Sequence, residues 1–264
     1  ARQVSAGLDI VNDGEQSKPS YATYIKDRLT GFGGESGSYV FQDLEAFPGA
    51  KLRMAADEGR KHRRAPACTG PVTVKDMSAA ARDAEGLKDA LAAHPGRQGF
   101  MSAASPGVTA LFFTNEHYAR DEDYLVALAD ALRHEYEAIA AAGLILQIDC
   151  PDLAMGRHTQ FRDLSLSQFR ERLMLNIEML NRATATIAPE RMRIHLCLGN
   201  YPGSHTSDVP MRDIIDLVWR ARPQGIQFEA ANPRHAHEFA LFDDVKLPEG
   251  KLLIPGVVES QSPY

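Results

Sequence analysis

The sequence predicts a (β/α)8 barrel of the TIM type, an α/β fold in which residues 1–264 form a single domain. Three observations predict it. Short apolar segments alternate with helical patterns along the chain. These segments are rich in Ile, Leu and Val without strict alternation, as in parallel strands that are buried on both faces. The later strand–helix units recur at intervals of roughly 30 to 50 residues, a spacing typical of βαβ units.

Seven short apolar segments are predicted strands, and no glycine fingerprint of a dinucleotide-binding fold follows the first of them. We expect further barrel elements before Ala1 and after Tyr264, because neither end resembles a barrel terminus. The segment Gly31–Lys61 is expected to be an irregular excursion after the first βα unit. The predicted strands are Leu8–Val11, Ala65–Cys68, Gly99–Ala103, Leu144–Ile148, Met192–Cys197, Ile226–Glu229 and Leu252–Val258.

Three helices stand out between these strands. The clearest covers Asp121–Gly143, since it begins at an acidic turn and ends at a glycine. A second is opened by Ser165 and Ser167 and continues with apolar residues at helical spacing. A third covers Asp213–Arg222 and is ended by Pro223, which cannot continue a helix.

The composition indicates which partners and which cellular compartment to expect for this protein. The chain has 29 Lys and Arg against 35 Asp and Glu, a net charge of −6, so we expect neither nucleic acid nor an anionic membrane as a partner. No apolar stretch approaches the roughly 20 residues of a membrane span, and no signal peptide is visible. Three cysteines are a poor disulfide framework and suit a reducing compartment. We therefore expect a cytoplasmic protein that binds small molecules, and we leave a homo-oligomer open.

Polar residues follow several of the predicted strands, at the end where barrel enzymes carry their chemistry. His195 and Cys197 are two residues apart in one strand, so their side chains point to the same side. Zinc accepts His nitrogen and Cys sulfur, and a catalytic zinc ion usually has three protein ligands and one open position. Glu229, at the end of the next strand, is a candidate third ligand. Such an ion would activate a thiol, because zinc coordination converts it to the nucleophilic thiolate.

Six segments carry a resemblance to a known family. The chain resembles the cobalamin-independent methionine synthases, in particular their short single-barrel branch, which includes epoxyalkane:coenzyme M transferase. The resemblance extends over nearly the whole chain, and IHLC followed by FE is its most specific part. The segments are GLDIVNDGEQSK, CTGPVT, LQIDCPDLAM, IHLCLGN, IQFEAANPR and LIPGVVESQSP.

The resemblance implies a barrel like the C-terminal domain of methionine synthases, with a zinc ion held by His, Cys, Glu and a second Cys. His195, Cys197 and Glu229 match the first three ligands, and the second Cys is expected beyond this sequence. Glu15 and Asp149 match the two acidic residues that bind the amino group of homocysteine.

Two positions depart from the family pattern. Cys150 stands where methionine synthases have Glu, and Gln261 stands where they have the His associated with proton transfer, so no catalytic residue is assigned. The resemblance implies a zinc-dependent enzyme that transfers a methyl or alkyl group to a thiol. The leading form is a 5-methyltetrahydrofolate (or other methyl donor):homocysteine S-methyltransferase-like activity in methionine biosynthesis.

Three alternatives stay open at this point. An epoxyalkane:coenzyme M transferase-like reaction is disfavoured because Glu15 and Asp149 would repel a sulfonate unless Arg or Lys intervenes. A metal-free lyase of the uroporphyrinogen decarboxylase type would leave His195, Cys197 and Glu229 without a role. The third alternative is a non-catalytic barrel that binds zinc or a thiol.

Several other residues have two readings each. Cys68 and Cys150 are expected to be small buried side chains. The loop that carries Arg234 and His235 either lines an anion site or is solvated, and His205 either faces the site or is exposed. The basic run at 60–64 is expected to be a solvated helix end, with a phosphate or sulfonate contact as the alternative.

Overall fold

The fold is an α/β structure with one main parallel sheet, seen in a computed structural model that describes residues 1–35, 41–56, 66–200 and 204–259. Of residues 54–56 only the backbone is described. The strands in the described part are β1 (Ile10–Val11), β2 (Phe32–Gly33), β3 (Ala67–Cys68), β4 (Gln98–Ala104), β5 (Ile145–Asp149), β6 (Met192–His195), β7 (Gly225–Glu229) and β8 (Leu252–Gly256).

Helices connect most of these strands. They are α1 (Arg2–Ser5), α2 (Ile25–Arg28), α3 (Asp43–Ala46), α4 (Pro48–Ala56), α5 (Ser78–Ala92), α6 (Pro106–Phe112), α7 (Asp121–Ala141), α8 (Leu166–Ala183), α9 (Ile215–Val218) and α10 (Leu241–Asp244). Short 3-10 turns lie at Pro151–Leu153, Met155–His158, Pro189–Arg191, Met211–Asp213 and Ala236–Ala240. In the described residues no helix is both long and apolar enough to cross a lipid bilayer.

The main sheet has six parallel strands in the order β1-β4-β5-β6-β7-β8, and it is curled. Each strand joins the same edge as its predecessor, so the order never reverses as it does in a doubly wound fold. This sequential order is that of a barrel wall. The eight-stranded closure that the sequence predicts is not shown by the residues described.

Each predicted strand overlaps a strand of the structure, but the strand predicted at 65–68 does not belong to the main sheet. The strand found there, β3, pairs antiparallel with β2, which the sequence did not predict. The reason is a tight crossing of two chain segments. Gly31 has φ +91°, its carbonyl accepts hydrogen bonds from Thr69 N and Gly70 N at 2.8 and 3.1 Å, and a Cβ there would lie 2.6 Å from Gly70 O. Only glycine allows this approach, and it holds the excursion in a small sheet of its own.

Two of the predicted helices are confirmed, and the third is much shorter than expected. The helix α8 begins with a capping box in which the Ser165 side chain and the Gln168 side chain each bond the other's backbone. In the third helix only Ile215–Val218 is α-helical. Asn181 of α8 bonds Arg220 O and Arg222 N at 3.0 and 2.7 Å, so those backbone groups are satisfied by tertiary contacts instead of a helical ladder.

The two faces of the main sheet differ in polarity, which corrects the expectation of strands apolar on both faces. One face joins the hydrophobic core with α5, α7 and α8, and its residues are at most 2% exposed: Met101, Ala103, Leu146, Ile148, Ile194, Ile226 and Phe228. By the alternation of side chains along a strand, the other face carries Ser102, Gln147, Asp149, Arg193, His195, Gln227 and Glu229. This polar face positions the candidate site.

A buried carboxylate joins the end of β5 to α6 and α8. The Asp152 carboxylate accepts hydrogen bonds from Ser105 Oγ at 2.6 Å and from Asn176 Nδ2 at 3.0 Å. Gly107 leaves room for it, because a Cβ at this position would lie 2.0 Å from Asp152 Oδ2. Burial raises the pKa of Asp152 to about 6, although the Ser105 hydrogen bond works in the opposite direction.

We expect Gly107→Ala to lower the free energy of unfolding by about 1–3 kcal/mol, because the new methyl group overlaps the Asp152 carboxylate. The matched control is Gly86→Ala in α5, where nothing lies within 4 Å of the added Cβ. That control should raise stability by about 0.5–1 kcal/mol, the helix propensity difference. Urea unfolding measures both, and a Gly107→Ala protein as stable as its parent would contradict this packing.

The pKa of Asp152 also predicts a pH dependence of stability. Because the pKa is raised from 3.8 to about 6, protonation favours the folded state. The contribution to stability is complete below about pH 4 and is lost as the pH rises through about 6. Asp152→Asn removes this titration, so we expect its stability relative to the parent to rise by about 3 kcal/mol between about pH 4 and about pH 7.5. Urea unfolding at the two pH values tests the sign, and a difference independent of pH contradicts the assignment.

Candidate active site

Three polar residues from neighbouring strands lie in one row at the carboxyl end of the sheet. The parallel register pairs Asp149 with His195 and His195 with Gln227. Continuing this register by two residues places Cys197 beside Glu229. The sheet therefore brings strand ends that are far apart in sequence to the same edge, as the barrel prediction required.

The two predicted substrate-binding acids, Glu15 and Asp149, are close enough to influence each other. Burial raises the pKa of Glu15, Lys18 lowers it and the Asp149 charge raises it again. Burial raises the pKa of Asp149 to about 6, against the Gln147 hydrogen bond and the charges of Lys18 and Arg193. Glu15 adopts φ +54°, in the turn just after β1. The structure thus brings together two acids that are separated by most of the first half of the chain.

Two cations lie close to these acids, and neither was predicted from the sequence. The Lys18 ammonium donates to Ser102 O and lies 4.6 Å from the centre of the Tyr24 ring. The Arg193 guanidinium donates to Gln147 Oε1 at 2.8 Å and stacks 3.8 Å from the centre of the Phe100 ring.

The sequence did contain a signal for each cation. Lys18 follows Glu15 by three residues. Arg193 alternates with Met192 and Ile194 in β6, a pattern typical of a strand with one polar face. Gly225 lies beside Arg193, and a Cβ there would come within 2.7 Å of Arg193 Cβ, so glycine makes room for the guanidinium stem.

The donor set of the three predicted zinc ligands suits zinc. His195 Nδ1 is buried and has no hydrogen-bond partner, an arrangement that a metal ion would satisfy. Cys197 is a partly exposed free thiol whose Sγ accepts a hydrogen bond from Gly199 N at 3.4 Å. One carboxylate oxygen of Glu229 accepts hydrogen bonds from Ala231 N and Asn232 N at 2.8 and 3.0 Å. Nitrogen, sulfur and carboxylate oxygen are the ligands that zinc takes in proteins.

These three residues are not gathered around one point. Two groups of three potential ligands in the described residues have donor atoms within 4.8 Å of one another, and His195, Cys197 and Glu229 are not among them. Their assignment to zinc stays a prediction.

The two gathered groups share one aspartate. Asp208 lies 2.6 Å from His158 Nδ1, 2.8 Å from His205 Nδ1 and 3.1 Å from His235 Nε2. Asp43 completes what we call the His–Asp cluster: Asp43, His158, His205, Asp208 and His235. Burial would raise the pKa of Asp208, but hydrogen bonds from the three histidines outweigh it and hold that pKa far below its usual range.

The sequence indicates only part of this cluster. It points to His205 and His235 as loop histidines and gives no sign of Asp43, His158 and Asp208. These three come from separate segments of the chain with no recognisable spacing, so only the tertiary structure joins them. The interpretation of His205 as an exposed loop residue is wrong, because its side chain is only 3% exposed.

Other residues that the sequence singled out have simpler settings. Cys68 and Cys150 are buried as expected. Arg234 bonds Asn232 Oδ1 through its own N and Nε, at 2.9 and 3.1 Å. The basic run at 60–64 and Gln261 lie outside the described residues.

The fold has a counterpart among solved structures. It is similar to a B12-independent methionine synthase from Shewanella sp. W3-18-1 in complex with selenomethionine. The TM-score is 0.71 with 19% identity, over 98% of this chain and 68% of the other. At this identity the likeness shows a shared fold. No family model matches the sequence, and no curated protein does.

Proposed function

We propose that this protein is a zinc-dependent S-alkyltransferase that transfers a methyl or another alkyl group to a thiol, with homocysteine as the first candidate substrate. The observation that carries the proposal is His195 Nδ1, a buried ring nitrogen without a hydrogen-bond partner on the polar face of the sheet. It lies in register with Asp149, one strand away from Glu229 and two residues before Cys197. The shared fold with a methionine synthase supports the same activity.

In this proposal, His195, Cys197 and Glu229 hold the metal, and a further cysteine beyond this sequence is expected to complete the set. Bound zinc would lower the pKa of a substrate thiol so that it is ionised at neutral pH. The sulfur then attacks the alkyl carbon of the donor: a sulfur–carbon bond forms, and the bond from that carbon to its leaving group breaks. A 5-methylated folate is the leading donor. No proton donor for the leaving group is assigned.

Glu15 and Asp149 would bind the amino group of the thiol substrate. Burial raises the pKa of both, and the charge of Asp149 raises the pKa of Glu15 further. A substrate ammonium group between them would favour the ionised form of both carboxylates, since an opposite charge stabilises a buried anion. The pair is thereby suited to an amino-acid thiol.

Lys18 and Arg193 support a second candidate function. The sequence disfavoured a thiol that carries a sulfonate because no cation was known to intervene between it and the acids. Both cations act on the Asp149 carboxylate. An anionic thiol alkylated in the manner of epoxyalkane:coenzyme M transferase is therefore the alternative substrate class. No specific contact among the described residues supports the metal-free lyase or the non-catalytic barrel.

We expect full-length protein purified without chelators to contain zinc, and His195→Ala to lose the zinc held at this site. Cobalt substitution identifies the site, because only a thiolate ligand such as Cys197 gives sulfur-to-cobalt charge-transfer absorption. His134→Ala, an exposed position in α7, is the matched control and should keep the band. A parent protein without this band would contradict thiol activation by zinc and would favour the metal-free alternatives.

The acid pair predicts a specific defect in substrate binding. We expect Glu15→Gln and Asp149→Asn each to raise the KM for homocysteine by about 10- to 100-fold, the value of a hydrogen bond to a charged group. 4-Sulfanylbutanoate, which lacks the amino group, should bind the parent poorly and be affected little further by either change. Glu85→Gln, at an exposed position in α5, should leave the KM unchanged. An equal loss for both thiols would assign the acids a structural role, and a preference for 2-sulfanylethanesulfonate would favour the alternative substrate.

A further inference from the structure

The His–Asp cluster joins three successive loops at the carboxyl end of the sheet. His158 ends the 3-10 turn after β5, His205 and Asp208 lie in the loop after β6, and His235 lies in the loop after β7. The ring centres of His205 and His235 are 5.4 Å apart, and those of His158 and His205 are 6.2 Å apart. One carboxylate is thus surrounded by three imidazoles from different parts of the chain.

The cluster is buried. The side chains of His158 and Asp43 are 0% exposed, and that of Asp208 is 9% exposed. His205 and His235 are exposed by 3% and 7%. Burying ionisable groups is costly unless their charges are compensated, so this arrangement needs positive charge beside its two carboxylates.

The donor atoms are close enough to share one ion. One ligand atom from each of His205, Asp208 and His235 lies within 4.8 Å of the other two, and the same holds for Asp43, His158 and Asp208. Two imidazoles and one carboxylate form a recurrent ligand set for divalent first-row transition metals, including catalytic zinc and non-haem iron. Magnesium and calcium prefer oxygen ligands throughout and fit this set poorly.

The surroundings hold these ligands in place. Asp43 accepts hydrogen bonds from Thr206 Oγ1 at 2.7 Å and from Ser207 N at 2.8 Å, which fastens the loop between His205 and Asp208. Asn232 accepts a hydrogen bond from His235 N through its carbonyl, at 2.9 Å. Hydrogen bonds of this kind, around the ligands themselves, orient metal ligands and raise the affinity for the metal.

We propose that the His–Asp cluster is a second metal site, which binds a divalent transition-metal ion through His205, Asp208 and His235. It is separate from the site proposed for thiol activation and contains no sulfur. His158 and Asp43 lie on the far side of Asp208, where His158 contacts the aspartate oxygen that is not shared with the other two histidines. An ion there ties together the loops that frame the polar face of the sheet.

The test uses cobalt(II) as the probe and a background that lacks Cys197, the sulfur ligand of the other site within this sequence. Cobalt held at that site by the expected further cysteine would still give sulfur charge-transfer absorption, which distinguishes it from cobalt at the cluster. Full-length Cys197→Ser protein is stripped with a chelator and titrated with cobalt. We expect one ion to bind with d–d absorption, without sulfur charge-transfer absorption, and to raise the melting temperature. Adding His235→Ala to this background should weaken cobalt binding by about 100-fold, because losing a residue that only orients a metal ligand already lowers metal affinity by up to about that factor.

His237→Ala is the matched control, since it changes an exposed histidine two residues away on the same loop and should leave cobalt affinity unchanged. Because His235 is buried, His205→Ala is the second ligand variant, and circular dichroism of each metal-free protein verifies that it is folded. Failure of the Cys197→Ser protein to bind cobalt in this way would overturn the proposal. So would cobalt affinity that is unchanged in folded His235→Ala and His205→Ala proteins.

The two metal proposals fail independently. If thiol activation by zinc is wrong, the parent lacks the charge-transfer band but the Cys197→Ser background still binds cobalt. If the second site is wrong, the parent shows that band and the background binds no cobalt at the cluster.

Discussion

The parallel register of β5, β6 and β7 is the constraint on which the rest of the structure depends. It pairs Asp149 with His195 and His195 with Gln227, while the intervening residues enter the hydrophobic core. A slip of one residue would turn Asp149 and His195 into that core and the apolar residues toward the polar face. The cost of burying unpaired charge excludes such a slip, so the apolar face secures the geometry of the polar one.

A buried hydrogen-bond network supports the other half of the site. Tyr24 donates its hydroxyl hydrogen to Glu135 at 2.9 Å and accepts a hydrogen bond from Ala104 N at 3.2 Å, at the end of β4. Arg28 bridges Glu135 and Asp83, so it joins α2 to α7 and α5. Lys18 rests against the Tyr24 ring. The loop that carries Glu15 and Lys18 is therefore anchored to the helical layer as well as to the sheet.

The two proposed metal sites both lie at the carboxyl end of the sheet and differ in the chemistry of their ligands. The first combines a histidine, a thiol and a carboxylate beside an acid pair, which suits activation of a soft sulfur nucleophile. The second has only nitrogen and oxygen donors, and it lies among loops that follow the same strands. Glu229 ends β7 and His235 lies in the loop that follows, where Asn232 donates its N–H to the Glu229 carboxylate and accepts a hydrogen bond from His235 N through its carbonyl. A change at either site therefore acts on the same loop.

Local patterns in the chain were enough to predict the α/β class, the strands of the main sheet and the helices α7 and α8, because these depend on apolar periodicity and on caps such as Ser165. They also predicted that Glu15, Asp149, His195, Cys197 and Glu229 lie at or just after the carboxyl ends of strands. Contacts distant in sequence decided the rest. The close approach of two chain segments at Gly31 places β3 in a separate sheet, and hydrogen bonds from Asn181 replace those that would have extended the third helix. Lys18 and Arg193 lie beside the acids, and the His–Asp cluster combines residues from separate segments of the chain. Strand register and packing bring these residues together although they share no local pattern.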